Sequence, residues 1–189
     1  MSSTYMQHVL LDHIDGFDSH LISSATGQYV GQTDDGHLLY GFGSYLDNNA
    51  NQRIGLFRSG SFLFGISITT TSAIVGTTDD YVSYSLSTGN MDYVFHAGQK
   101  TLVDMRDAGD YAFVSMTYAN GDRYIGETYK NKRHGYGIYY YSNGDFWWGE
   151  YNDDARSGIG CLFRTNHSLR FGIWEGEEEK RATEAKLRK

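Results

Sequence analysis

The feature that most constrains the fold of this chain is a period of 23 residues in its second half. The period relates two sets of residues, Gly126, Gly149 and Gly172, and Asn120, Asn143 and Asn166. Repetition at a fixed spacing is typical of similar units that bury their apolar faces only by stacking on one another. The period therefore predicts a repeat array.

Each unit has two halves that can be read in the sequence. A start such as Tyr124-Ile-Gly126 or Trp147-Trp-Gly149 is followed, nine residues after its glycine, by a Gly-x-Gly pair at Gly135 or Gly158. A third start lies at Arg170-Phe-Gly172. Weaker starts upstream end in Gly31, Gly55, Gly76 and Gly98.

Alternation of side chains along a strand explains this pattern. Tyr124 and Gly126 share one face of an extended strand, as do Trp147 and Gly149. Glycine normally weakens a strand, but it fits where another group must approach closely. We therefore expect the rings of Tyr124 and Trp147 to lie over glycines. The Asn-Gly pairs that begin at Asn120 and Asn143 suit the two-residue type I′ turn of a hairpin.

The opposite face of the same strands is too apolar to be left in water. It carries Ile125, Tyr136, Ile138, Tyr140, Trp148, Phe171 and Ile173. Exposed aromatic patches mark interaction sites, but a helix or loop of the same chain is an equally good cover.

The residues of 118–174 resemble the MORN repeat (membrane occupation and recognition nexus), which reads Tyr-x-Gly, a turn, Gly-x-Gly and an aromatic run. His134-Gly135 matches a frequent His-Gly pair of that family. The resemblance extends in weaker form over 27–174. It implies an all-β fold, an elongated single-layer antiparallel sheet of stacked β-hairpins. At about 4.8 Å per strand, seven units would span roughly 70 Å.

Three segments are predicted. Residues 1–26 form an N-terminal cap or a degenerate repeat, and 27–174 form the array, clear in 118–174 and degenerate in 27–117. Whether 77–117 forms true repeats stays open. Residues 175–189 change to a charged composition in which acids lead and bases trail, which suits a short α-helix.

Charge argues against a polyanionic partner. Residues 1–99 hold two basic and nine acidic residues, which accounts for the net charge of −7 of the whole chain. Nucleic acids and anionic lipids bind basic patches, so nucleic acid is excluded and membrane lipid is disfavoured. The one tight basic cluster, and thus the candidate for anionic lipid, is Lys130, Lys132 and Arg133.

No motif in the chain indicates catalysis, a cofactor or a metal. His8, His13 and His20 lie among aspartates but lack the close spacing of metal ligands. Cys161, the single cysteine, lies between apolar neighbours and is expected to be a buried thiol. The N-terminus does not resemble a signal peptide, so a cytoplasmic and non-secreted protein is expected.

The sequence thus predicts a non-catalytic scaffold or adaptor that binds another protein. Stand-alone MORN proteins are often cytoskeletal or axonemal, so the resemblance implies a cytoskeletal or ciliary assembly. The predicted contact residues are Tyr124, Tyr136, Tyr140, Trp147, Trp148 and Tyr151. The alternatives are a phosphoinositide-associated protein and an architectural subunit of a large enzyme complex. Association of two copies through an open sheet edge also stays possible.

Overall fold

A computed structural model describes residues 18–35, 38–96 and 109–185, and these residues form fifteen β-strands and no helix. The first eight strands are β1 (Ser19–Ser24), β2 (Gly27–Thr33), β3 (Leu39–Asp47), β4 (Gln52–Arg58), β5 (Ser61–Ile68), β6 (Ser72–Gly76), β7 (Asp80–Ser85) and β8 (Met91–His96). The other seven are β9 (Tyr111–Thr117), β10 (Arg123–Tyr129), β11 (Lys132–Tyr140), β12 (Phe146–Asn152), β13 (Ala155–Phe163), β14 (Leu169–Glu175) and β15 (Glu178–Ala185).

The strands form two antiparallel sheets in which every strand pairs with its neighbour in sequence. The first sheet runs from β1 to β8 and the second from β9 to β15. The prediction of an all-β fold built from stacked antiparallel hairpins is confirmed. Because each connection is a local hairpin, each unit meets its neighbours directly.

A row of paired glycines crosses both sheets. The glycine row of the first sheet consists of Gly31, Gly43, Gly55, Gly65 and Gly76, and that of the second of Gly126, Gly137, Gly149, Gly160 and Gly172. The weak upstream starts at Gly31, Gly55 and Gly76 therefore belong to hairpins of the same kind. Gly98 lies outside the described residues.

Aromatic rings cover part of this row, as the sequence predicts. A Cβ atom added to Gly137 would lie 2.3 Å from the hydroxyl oxygen of Tyr124, and one added to Gly149 would lie 2.4 Å from the ring of Trp147. In the first sheet the ring of Tyr29 covers Gly43 in the same way. These glycines leave the space that the rings occupy.

The prediction of type I′ turns at the Asn-Gly pairs is wrong. Gly121 has a φ of 88°, but Asn120 does not have a positive φ, and the Gly121 N–H donates to the Tyr118 carbonyl at 3.0 Å. This is a longer turn that ends in a left-handed glycine. Consecutive positive φ angles occur at the opposite end of the second sheet, at Lys130-Asn131 and Asp153-Asp154.

The two sheets face each other and share one hydrophobic core, so the array is not a single layer. Phe42 of the first sheet lies with its ring centroid 5.8 Å from that of Trp148 and 5.3 Å from that of Phe171. Phe64 contacts Tyr136 at 4.8 Å. The apolar second face of the repeats is therefore covered by the other half of the same chain.

A polar link joins the sheets inside this core. The hydroxyl of Tyr84, in β7, donates to a carboxylate oxygen of Glu127, in β10. The second carboxylate oxygen accepts the backbone N–H of Tyr136 at 2.8 Å. Glu127 is completely buried, and these bonds satisfy a group that would otherwise be costly to remove from water.

The prediction of a C-terminal helix is wrong in the described part of the segment, where residues 178–185 form β15. Ion pairs across the strands explain the difference. Arg170 of β14 pairs with Glu179, and Arg164 pairs with Glu184 at 2.6 Å. Such cross-strand pairs, together with the backbone bonds to β14, outweigh a helix propensity worth only tenths of a kcal/mol per residue.

The predicted segment limits stay predictions in other respects. The predicted limit at residue 26 falls in the turn between β1 and β2, which pair with each other. Residues 1–17 lie outside the described part of the chain. Among the described residues, no helix has the length and apolar character needed to cross a membrane.

Candidate functional site

The candidate site is the outer face of the second sheet, which we define as the face turned away from the first sheet. It carries the side chains that alternate with those of the shared core. A rim of half-buried residues on this face surrounds a fully buried floor. The rim consists of Val114, Met116, Tyr118, Tyr139, Tyr141 and Leu162.

Three packed rings make the floor of the outer face. Tyr124 and Trp147 are completely buried, and Tyr151 is 2% exposed. The ring of Tyr151 stands edge-on to both, at centroid distances of 5.4 Å to Tyr124 and 4.8 Å to Trp147. Edge-to-face packing at these distances is favourable, so the packed floor supports the half-buried rim, which is the accessible part of this face.

A hollow of about 170 Å³ lies in this face. Its lining consists of Arg133, Tyr139, Tyr141, Tyr151, Arg156 and Glu177. The guanidinium of Arg156 lies 5.2 Å from the ring centroid of Trp147, and that of Arg133 lies 5.1 Å from Tyr151. Cations over aromatic rings are attracted by the ring quadrupole, so the floor holds both arginines at the hollow.

Hydrogen bonds fix the tyrosines of the rim. The hydroxyl of Tyr139 donates to the Asp122 carboxylate at 2.9 Å, and the guanidinium of Arg156 donates to the hydroxyl oxygen of Tyr141. Burial and the bond to Asp122 raise the pKa of Tyr139 to about 12. Burial also raises the pKa of Tyr141. Both phenols are therefore protonated at neutral pH.

Aspartates in the Asn-Gly-Asp turns link successive hairpins at the end of this face. The carboxylate of Asp122 accepts the backbone N–H of Ser142 at 2.9 Å, and Asp145 accepts that of Thr165 at 2.9 Å. The bond from the Ser142 N–H is the main cause of a lowered pKa of Asp122. The turns therefore hold the hairpins in register.

The six predicted contact residues are divided between two places. Tyr124, Trp147 and Tyr151 form the floor of the outer face, while Tyr136, Tyr140 and Trp148 lie in or against the core between the sheets. Trp148 is completely buried, and Tyr140 donates from its hydroxyl to the Gln52 side chain at 3.0 Å. Their role in binding stays a prediction.

The predicted lipid-contact cluster is paired with acids in the structure. Lys130 lies 4.0 Å from Asp110, Lys132 lies 3.8 Å from Asp153, and Arg133 bonds Asp154 at 3.2 Å. Pairing lowers the positive potential that an anionic membrane would meet. Contact with lipid also stays a prediction.

Sequence reasoning missed the rim of the outer face and Arg156. Tyr139, Leu162 and Arg156 pair directly with Trp147 or Tyr151 on adjacent strands, so register would have placed them on the same face. The signal was present as strand alternation. The sequence alone does not distinguish this face from the one that is buried between the sheets.

Cys161 is completely buried, as predicted, and burial raises the pKa of its thiol well above the ordinary value. Residues 18–35, 38–96 and 109–185 contain no group of three or more histidine, cysteine, aspartate or glutamate side chains that could hold a metal ion. His8 and His13 lie outside these ranges.

Fold and outer face together define a β-hairpin repeat protein in which paired glycines leave room for aromatic rings. The family model of the MORN repeat matches residues 124–146, which run from the ring-bearing Tyr124 to the start of β12. The resemblance to the MORN repeat seen in the sequence is therefore confirmed over these residues. A search of curated proteins found none that matches this chain.

Proposed function

We propose that this protein is a non-catalytic scaffold or adaptor that binds another protein through the outer face of the second sheet. The observation that carries the proposal is the half-buried apolar rim around Tyr124, Trp147 and Tyr151. Aromatic side chains on a rigid support are typical of the centres of protein interfaces. The MORN repeat suggests a module that binds proteins or membranes.

A protein partner is favoured over a membrane by charge. The cluster of Lys130, Lys132 and Arg133 is matched by neighbouring aspartates. The outer face itself mixes signs, since Arg170 on it pairs with Glu179. A surface of mixed charge with apolar and aromatic side chains suits a polypeptide better than a sheet of anionic headgroups.

The contact surface is then the rim of the outer face and not the core-facing aromatics. Tyr136, Tyr140 and Trp148 stabilise the packing of the two sheets. A partner would touch Met116, Tyr139 and Leu162, with the predicted residues Tyr124, Trp147 and Tyr151 supporting them from below. Because the floor is built from packed rings, binding requires little rearrangement.

The cellular setting in this proposal rests on family analogy. We expect a cytoplasmic protein held in a cytoskeletal, ciliary or axonemal assembly. An architectural subunit of a large enzyme complex would use the same face. No catalytic role is included, since the MORN repeat is generally a non-catalytic repeat.

A matched pair of surface variants tests the proposal. Leu162→Glu places a charge on the outer face, while Leu63→Glu does the same at an exposed leucine of the first sheet. Each tagged full-length variant is used in a pull-down from the native cell, with detergent-soluble and detergent-insoluble fractions analysed by mass spectrometry. Circular dichroism confirms that both variants fold.

We expect the unsubstituted chain and Leu63→Glu to retain the same stoichiometric partner and Leu162→Glu to lose it. Filament or axonemal proteins in the insoluble fraction would support the cellular setting. Equal retention by both variants would refute the outer face as the contact. Recovery without any stoichiometric protein, together with binding to phosphoinositide vesicles that neutralisation of Lys130, Lys132 and Arg133 abolishes, would replace the scaffold with the lipid alternative.

A further inference from the structure

The hollow in the outer face brings together the hydrogen-bond donors of two arginines and three tyrosines. Arg156 donates to the Tyr141 oxygen, and no carboxylate of the described residues forms an ion pair with it. Arg133, by contrast, is bonded to Asp154 through its backbone N–H, its Nε and its terminal nitrogen. Of the two arginines, Arg156 is therefore the one whose positive charge is not paired with a carboxylate of the described residues.

Two phenols add neutral donors next to this guanidinium. The Tyr141 oxygen accepts from Arg156, which leaves its own O–H free to donate. Tyr151 also lines the hollow, and burial raises the pKa of its hydroxyl, so it too is protonated at neutral pH. A guanidinium flanked by two O–H groups is a set of donors that suits an anion.

The surroundings select the kind of anion. Glu177 lines the same hollow and Asp154 sits behind Arg133, so a group with two negative charges would be repelled by both. A carboxylate carries one charge and its planar oxygens fit the fork of a guanidinium. The adjacent half-buried Tyr139 and Leu162 offer apolar contacts beside the charge.

We propose that this hollow binds the carboxylate of an aspartate or glutamate that the partner protein carries next to an apolar side chain. The carboxylate bonds Arg156, Tyr141 and Tyr151, and the apolar side chain packs on the rim. This inference rests on the proposed function, since it names the chemistry of the partner segment that the outer face recognises.

The site holds Arg156 ready for such a ligand. The ring of Trp147 lies beneath the guanidinium, and Tyr141 fixes one of its N–H groups. A side chain held in this way loses less conformational freedom on binding than a free surface arginine does. The bond to Arg156 therefore fixes the position of the partner segment along the outer face.

Phenylacetate tests the inference without knowledge of the partner, because it joins a carboxylate to an apolar ring. Titrated into the isotope-labelled full chain, it should shift the NMR signals of the Arg156 Nε–H and the Trp147 indole in a saturable way. Phenylacetamide, which has the same shape but no charge, should leave these signals in place. Arg156→Gln should weaken phenylacetate binding about tenfold or more.

Arg170→Gln is the matched control, since Arg170 lies on the same face but is already paired with Glu179. This variant should bind phenylacetate as the unsubstituted chain does. Equal shifts with phenylacetamide, no saturable shift with phenylacetate, or unchanged binding by Arg156→Gln would each overturn the inference.

Titration with inorganic phosphate distinguishes a protein carboxylate from a phosphorylated lipid headgroup as the ligand of the hollow. We expect it to shift the Arg156 signal less than phenylacetate does at equal concentration. Stronger binding of phosphate, with Arg156-dependent attachment to phosphoinositide vesicles, would refute the carboxylate assignment. Failure of the phenylacetate test leaves the Leu162→Glu pull-down unaffected, so the two proposals fall separately.

Discussion

The two sheets contain the same glycine row but cover it differently. In the second sheet Tyr124 and Trp147 stand two residues before Gly126 and Gly149 and lie over the row. In the first sheet only Tyr29 does so, because Arg53 and Ile74 occupy the equivalent positions before Gly55 and Gly76. The family model matches residues 124–146, which begin at Tyr124 and end one residue before Trp147.

Glycine is retained in the uncovered part of the row for a second physical reason. Gly55 and Gly65 pair with each other, and both have backbone angles that other residues rarely adopt, φ 152° and 149°. A Cβ added to Gly65 would lie 2.1 Å from the Ile54 carbonyl oxygen. Gly126, Gly137, Gly149 and Gly160 of the second sheet make room for rings, while Gly55 and Gly65 make room for the neighbouring backbone.

The largest difference between the sheets should appear when a covering ring is removed. Trp147→Ala deletes a fully buried side chain, and we expect the free energy of unfolding in urea to fall by about 3–5 kcal/mol. Arg53→Ala changes the equivalent exposed position of the first sheet and should cost no more than about 0.5 kcal/mol. Equal losses would show that the ring is not what stabilises the row.

A glycine of the uncovered row should also be intolerant of substitution. Gly65→Ala forces a Cβ into the Ile54 carbonyl and should destabilise the fold by about 3 kcal/mol. The control is Gly60→Ala, which has a φ of 80° but open space around the new atom, and it should cost about 1 kcal/mol. Thermal unfolding of both variants gives the comparison, and a harmless Gly65→Ala would contradict the close backbone approach.

The two sheets should respond alike when an equivalent hydrogen bond is removed from each. Tyr29 donates to the Gln32 carbonyl at 2.8 Å, and Tyr124 donates to the Glu127 carbonyl at 2.7 Å. Tyr29→Phe and Tyr124→Phe should each lower the free energy of unfolding by about 1–2 kcal/mol, since a buried acceptor loses its donor. A difference between them larger than about 1 kcal/mol would mean that the rings are not equivalent.

The smallest expected difference concerns the ionisation of buried tyrosines, and it appears only at alkaline pH. Burial raises the pKa of Tyr140 to about 12, and burial also raises the pKa of Tyr29 in the first sheet. A folded-state pKa above the unfolded value of about 10 gives stability that is complete below about pH 10. That stability should be lost as the pH rises from about 10 to 12.

Urea unfolding measured across this alkaline range tests the expectation. Tyr140→Phe removes one of the raised groups and should make the fall shallower. A free energy of unfolding that stays constant up to about pH 12 would contradict the burial of these phenols.

Strand alternation and period made much of the fold predictable. The pairing of glycines with Tyr124 and Trp147 follows from residues that share a face, and the hairpin unit follows from the period of 23 residues. The fold of β15 did not follow, because its ion pairs with Arg164 and Arg170 come from another part of the chain. Helix propensity is local and could not register them.

The packing of the two sheets against each other was harder to predict from the sequence, for a similar reason. The apolar side chains around Trp148 signalled that a cover exists, but its identity depends on Phe42 and Phe64, far away in sequence. The lining of the hollow at Arg156 comes from the second sheet's outer face, and the sequence alone does not say which face is turned to solvent. Once the register is known, the same alternation rule assigns both faces.

The linked turns give the array a direction of growth. Asp122 holds the N–H of Ser142, Asp145 holds that of Thr165, and at the third turn Ser168 stands where the aspartate would be. An added copy of the 23-residue unit would bring one carboxylate and one N–H, and so would reproduce the connection on both of its sides. A chain built in this way can lengthen by duplication of whole units.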